Sequence, residues 1–224
     1  MRLAIFDFDG TLFPFETFPF LYSQWKKQKQ SKIRYYKGFA SFMPIYLLYK
    51  AKLVSSEKMR RKAVFELASL FNGMDMKQIE TFFDEAYKDM KDRIDTNMVK
   101  EIKKCQDEGF HLVLVSGALK PILDRVAHEY KFNEVIGTEL TMKGNRAYFH
   151  KNFKYIQGEE KAIAVVKKYK HHEIDWRHCR AYADSFSDLA IMELVGEPVA
   201  VRPDKDLLDV ARDRKWKIID SPSI

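Results

Sequence analysis

The 224 residues carry a formal net charge of +7 and are 46% hydrophobic, enough to bury a sizeable core and to exclude global disorder. No apolar run reaches the roughly 18 residues of a bilayer-spanning helix, and two cysteines, Cys105 and Cys179, are too few for a disulfide scaffold. The apolar start is broken at once by Asp7 and Asp9, so no secretory signal is expected, and a reduced, cytoplasmic setting is the simplest expectation.

Leu3 to Phe6 reads as a short strand buried on both faces of a parallel sheet. It ends in Asp7-Phe8-Asp9-Gly10-Thr11. Burying two unpaired carboxylates costs several kcal/mol each, roughly, so the strand should deliver them to an open sheet edge where a cation meets them. Such a site suits a hard cation such as Mg2+, with one carboxylate free to attack an electrophile. Taken alone, Asp-Gly-Thr reads more readily as a turn after a strand, with the aspartates as caps.

Residues 14 to about 95 show helical spacing and no strand signal. Phe18, Leu21, Tyr22 and Trp25 form one stripe; Ile45, Leu48 and Tyr49 form another after Pro44; a third segment starts at Ser56, and a fourth runs from Asp75 to Met90. The apolar run from Met43 to Tyr49 is expected by default to pack on the core, with lining a pocket or meeting lipid as the alternatives. The cluster Lys26, Lys27, Lys29, Lys32, Arg34 and Lys37 reads as a solvated helix face, with attraction of anionic substrates as the alternative. From Thr96 onward strands and helices alternate: a helix from Asn97 to Asp107, a strand from Phe110 to Val115, a helix from Leu119, a helix from Glu159 to Tyr169, strands at Cys179–Ala183, Pro198–Val201 and Trp216–Ile219, and an extended stretch from Val135 with a turn at Lys143-Gly144-Asn145. Repeated strand–helix units imply an α/β fold with a parallel sheet, helices on both faces and right-handed crossovers.

Three strand ends then fall on one edge. The first carries Asp7 and Asp9. The second carries Ser116-Gly117-Ala118, expected as a loop into a helix N-terminus that offers donors to an anion. The third carries Asp184 and Asp188, four apart, able to complete a metal site. Singly, each is an ordinary cap or turn; together they define a site. Lys161, in the first turn of a helix where the dipole disfavours a cation, is the candidate partner for an anion, with Lys151 and Lys154 in reserve.

In order and type, Asp7/Asp9/Thr11, Ser116, Lys161 and Asp184/Asp188 resemble the four motifs of the haloacid dehalogenase superfamily, over residues 3 to about 202. The helical segment between the first two motifs resembles the phosphoserine-phosphatase-like branch. The resemblance implies a Rossmann-like catalytic core of residues 1–13 and 96–224 with a helical cap of residues 14–95. It implies Asp7 as nucleophile and Asp9 as general acid and base. Phosphate would be bound by Ser116, Gly117, Lys161 and Thr11, and Mg2+ by Asp7, the backbone carbonyl of Asp9, and Asp184, with Asp188 just outside the ligands. A second catalytic Asp speaks against carbon–halogen cleavage, because halide leaves without a proton. The sequence departs from phosphoserine phosphatase at Ala183 and Ser187, where that enzyme has Gly and Asn. Glu16 stands where that enzyme has an ammonium-binding glutamate, and is equally a helix-start acid.

The expected function is therefore Mg2+-dependent hydrolysis of a small phosphomonoester, phosphoserine among the candidates, through an aspartyl phosphate. The protein is expected to be a monomer or homodimer, without nucleic acid and without stable membrane insertion. The competing expectations are a catalytically weak binding or regulatory protein on the same fold, and a basic protein that associates with nucleic acid or anionic lipid.

Overall fold

A computed structural model describes residues 1–150 and 153–220. Strand β1 (Leu3–Phe6) is followed by four helices, α1 (Thr17–Lys27), α2 (Lys32–Lys50), α3 (Ser56–Leu70) and α4 (Met76–Met90), and by α5 (Thr96–Asp107). Then come β2 (His111–Leu119), α6 (Lys120–Glu129), β3 (Glu134–Thr138), a small hairpin of β4 (Met142–Lys143) and β5 (Arg146–Ala147), and α7 (Glu159–Lys168). The chain continues through β6 (Arg180–Ala183), α8 (Leu189–Glu193), β7 (Glu197–Val201), α9 (Lys205–Asp213) and β8 (Lys217–Ile219).

Six strands form one sheet in the order β3-β2-β1-β6-β7-β8, every neighbouring pair parallel. The chain leaves β1 toward β2 on one side and returns to β6 on the other. The carboxyl end of β1 is therefore a switch point, where open α/β sheets bind ligands. Both faces are covered, so β1 is apolar throughout. Ala4 and Phe6 join a large cluster with residues of the α1, α3, α4, α5 and α6 helices, while Leu3 and Ile5 pack with Val165 of α7 and Ile191 and Met192 of α8. Phe6 stacks on Tyr182 of β6 at 4.3 Å between ring centroids.

Three local readings are corrected. Strand β2 does not stop at Val115. It runs through Ser116-Gly117-Ala118 to Leu119, with an irregularity in its register against β3, and α6 starts only at Lys120. Small residues do not end a strand that still has a partner to pair with. Helix α2 does not begin after Pro44; Ser31 caps it and Pro44 lies inside. The hydrogen bond that Pro44 cannot donate belongs to an exposed stretch, where water can serve the freed carbonyl. Finally, the run after Met43 is not core: of α2 only Gly38 and Phe42 are buried, and Leu47 is 59% exposed. Gly38 lets α2 approach α1, since a Cβ there would lie 2.4 Å from the Tyr22 hydroxyl. Among the described residues no helix is long and apolar enough to cross a membrane.

Candidate active site

The carboxyl ends of β1, β2 and β6 meet the first turn of α7 around a narrow cavity of about 70 Å3. Its lining includes Asp7, Asp9, Ser116, Gly117, Lys161, Asp184 and Asp188, with Glu16, Phe18 and Arg60 contributed by the helical segment. A larger open groove of about 740 Å3 lies at the amino ends of β6–β8. Several of its charges pair with one another, as in Arg180–Glu197 at 2.7 Å and Lys217–Glu101 at 3.0 Å, and it holds none of the converging acids.

The β1 loop is built tightly. Gly10 has φ +77°, and a Cβ there would lie 2.1 Å from Asp184 Oδ2, so both the turn and the approach of Asp184 require glycine. Arg202, just past β7, donates to the Gly10 carbonyl at 2.7 Å and the Thr11 carbonyl at 2.6 Å, and also pairs with Asp95. This pins the loop from beneath. Thr11 is fully buried and outside the cavity lining; its hydroxyl donates to Asp184 Oδ1 at 3.2 Å. The structure thus sets the Thr11 hydroxyl against a carboxylate and outside the cavity lining. Ser116 Oγ accepts from Ala118 N at 3.1 Å, which fixes the hydroxyl at the cavity wall.

Lys161 is buried and lies 2.6 Å from Asp7 Oδ1 and 2.7 Å from Asp188 Oδ1. Oxygens of Asp7, Asp184 and Asp188 lie within 4.8 Å of one another. Asp9 turns the other way: its Oδ1 accepts from Thr17 N at 2.8 Å and from the Thr17 hydroxyl. Of the reserve lysines, Lys154 is exposed and outside the cavity lining, and Lys151 lies outside the described residues.

The electrostatics follow from burying many acids beside one ammonium. Burial outweighs the pull of Lys161 and, with Asp184, lifts Asp7 to about 6. Burial together with the neighbouring Glu16 lifts Asp9 to about 8. Burial and mutual repulsion bring Asp184 to about 6, and burial brings Asp188 to about 6 despite Lys161. Burial opposes the charge of Lys161, but Asp188 and Asp7 more than compensate and hold its proton above the ordinary lysine range. One further acceptor is unmet: among the described residues Gln157 Oε1, buried in the cavity lining, has no hydrogen-bond partner.

Thr17, Arg60, Tyr155 and Gln157 were not legible in the sequence as site residues. Thr17 had one signal, its place beside Glu16. Arg60, Tyr155 and Gln157 reach the cavity through tertiary packing and carry no local motif. Arg60 Nη2 lies 3.3 Å from Glu16 Oε1. Glu16 opens α1 without capping it through its side chain. It faces a guanidinium of its own chain.

A family model for haloacid dehalogenase-like hydrolases matches residues 4–193, and the chain belongs to that family. It is 26% identical over 186 residues to a Mycobacterium tuberculosis protein named "Probable phosphatase", covering 81% of this chain and 61% of that one. The chain spans about three fifths of the length of such curated relatives. A protein of unknown function from Bordetella pertussis Tohama I superposes with a TM-score of 0.81 at 18% identity, covering 98% of both chains. A substrate-bound phosphoserine phosphatase superposes with a TM-score of 0.66 at 16% identity, covering 98% of this chain and 93% of that one. These two are likenesses of fold.

Proposed function

We propose that this chain hydrolyses a small phosphate monoester by passing the phosphoryl group first to Asp7 and then to water. The observation that carries the reading is the convergence of Asp7, Asp184, Asp188, Lys161 and Ser116 on one buried cavity, with Asp9 beside them. In this reading Asp7 forms a bond to phosphorus in line with the ester oxygen, whose bond to phosphorus breaks. Asp9 gives its proton to the leaving alcohol. It then takes a proton from the water that attacks phosphorus, releasing inorganic phosphate and restoring Asp7. Lys161 and Ser116 hold the phosphoryl oxygens.

The residues present fit Mg2+. Three clustered carboxylates face one ammonium, the donors are all oxygen, and a spare acceptor sits in the lining. Asp7 and Asp184 would hold the ion with the Asp9 carbonyl, and Asp188 would hold Lys161 at its side. When bound, the ion supplies positive charge against the phosphoryl oxygens. A phosphate-release assay over a panel of small phosphate esters tests the reading. Turnover should require Mg2+ and disappear with EDTA. Full activity in EDTA, or no release from any ester with Mg2+ present, contradicts it.

The cavity is far below the roughly 300 Å3 of a small ligand pocket, so it suits a phosphoryl group and not a whole metabolite. Residues 14–95 act in this reading as a cap that draws back to admit the leaving group and closes to exclude water. Arg60 and Glu16 give the mouth both signs of charge, which suits an amino-acid-like leaving group. Glu16→Gln is then expected to raise KM for phosphoserine about tenfold more than for an aryl phosphate, the scale of one charge-assisted hydrogen bond. Equal changes for both substrates would reduce Glu16 to the partner of Arg60.

A further inference from the structure

We propose that the outward face of α2 docks on the surface of an anionic lipid bilayer, a property independent of the phosphatase reading. Along α2, Ile33, Tyr36, Ala40, Met43 and Leu47 recur at spacings of three and four, on the side opposite the buried Gly38 and Phe42. A soluble helix normally turns charge to water on that side. Here Ile33 is 81% exposed, Tyr36 64% and Leu47 59%, and Leu53, just beyond the helix, is 72% exposed. An apolar stripe of this extent on an outer helix marks an interaction surface.

Charge identifies the occupant. Residues 17–56 contain eight lysines and arginines and no aspartate or glutamate. Lys32, Lys37, Lys50 and Lys52 are exposed, and among the described residues none of them pairs with a carboxylate. Apolar side chains flanked by unpaired cations, with tyrosines among them, are what an interfacial helix presents to anionic headgroups and the acyl boundary beneath. A second copy of this chain fits poorly, since a symmetric contact would press these cations together with no acid between them. The surface is continuous with the site through packing: Phe42 of α2 lies 5.1 Å, ring to ring, from Phe18, which lines the cavity.

The test is co-sedimentation of the full chain with phosphatidylcholine vesicles, with and without phosphatidylglycerol. Binding should require the anionic lipid and weaken as salt rises. Leu47→Ser/Leu48→Ser should lower partitioning at least tenfold, and Lys37→Gln and Lys52→Gln about fivefold each. Ile163→Ser, an exposed apolar site on α7, should leave it unchanged. Circular dichroism and hydrolysis of a soluble ester should match wild type in every variant. No binding to anionic vesicles overturns the proposal, as does binding that survives both the leucine and the lysine substitutions. Concentration-dependent dimerisation that the leucine substitutions abolish, without vesicle binding, also overturns it and assigns the face to a second copy.

Discussion

Asp7→Asn is expected to lower turnover of any phosphate ester on the order of 10^4-fold or more, the scale seen when a nucleophile is removed and only binding and charge stabilisation remain. The fold should survive. Asp7 is one of three clustered acids that share one ammonium, and Lys161 keeps Asp188 at 2.7 Å when Asp7 loses its charge. The amide also removes a repulsive neighbour of Asp184. Stability without metal should therefore stay within about 1 kcal/mol of wild type, while Mg2+ should bind more weakly because one anionic ligand is gone. The checks are phosphate release under saturating ester and thermal unfolding with and without Mg2+. Retained turnover sinks the nucleophile assignment; an unfolded variant would instead show that Asp7 is chiefly structural.

Lys161→Met, unlike Asp7→Asn, is expected to lower stability. It removes what is, among the described residues, the one ammonium that faces both Asp7 and Asp188 in a buried setting. Breaking a buried pair from one side costs about 3–5 kcal/mol, because the remaining charges must be protonated or left uncompensated. Both carboxyls are already lifted toward neutrality with the lysine present, so the lower end of that range is expected here. Turnover should fall by about three orders of magnitude through loss of a charge on the phosphoryl oxygens. Mg2+ should now stabilise the variant more than the wild type, since the ion meets a larger surplus of negative charge. Unfolding midpoints measured across Mg2+ concentrations check this. A variant as stable as wild type in EDTA, with an unchanged response to Mg2+, would mean that Lys161 does not neutralise the site. The two substitutions sit 2.6 Å apart and are predicted to move metal-free stability differently, so a general loss of packing cannot imitate both.

The sequence was most legible where physics left few choices. A parallel strand buried on both faces must be apolar, and a pair of acids at its end belongs at an edge, which is how Leu3–Phe6 with Asp7 and Asp9 lie. The same logic brought Asp184, far along the chain, to the sheet edge of Asp7, while Lys161 was drawn in by its place in the first turn of a helix and by the order of the motifs. It faltered where the deciding contact is distant. Ser116-Gly117-Ala118 carries turn-like composition, yet pairing with β3 on either side of it, at Val115 and Leu119, carries the strand through. Thr11 belongs to the motif, but the approach of Asp184 over Gly10 claims its hydroxyl. Pro44 looked like a helix boundary because its cost is local, whereas the Ser31 cap and the contact of Gly38 with α1 set where α2 lies. Glu16 was legible as an acid near the catalytic loop; its guanidinium partner, 44 residues away in sequence, was not.

Transfer of the phosphoryl group to Asp7 is the claim on which the proposed hydrolysis depends, and it is open to direct chemical detection. Asp9→Asn should slow hydrolysis of the acyl phosphate while an activated aryl phosphate, whose leaving group needs little protonation, still phosphorylates the enzyme. The variant, mixed with such an ester and Mg2+, is quenched and treated with borohydride, which reduces an acyl phosphate to the corresponding alcohol, and the peptides are then read by mass spectrometry. The account predicts reduction at position 7 and at no other acid, with the label absent when Asp7→Asn is added. Reduction at a different residue, or continued phosphate release with no reducible intermediate at any time point, would contradict it.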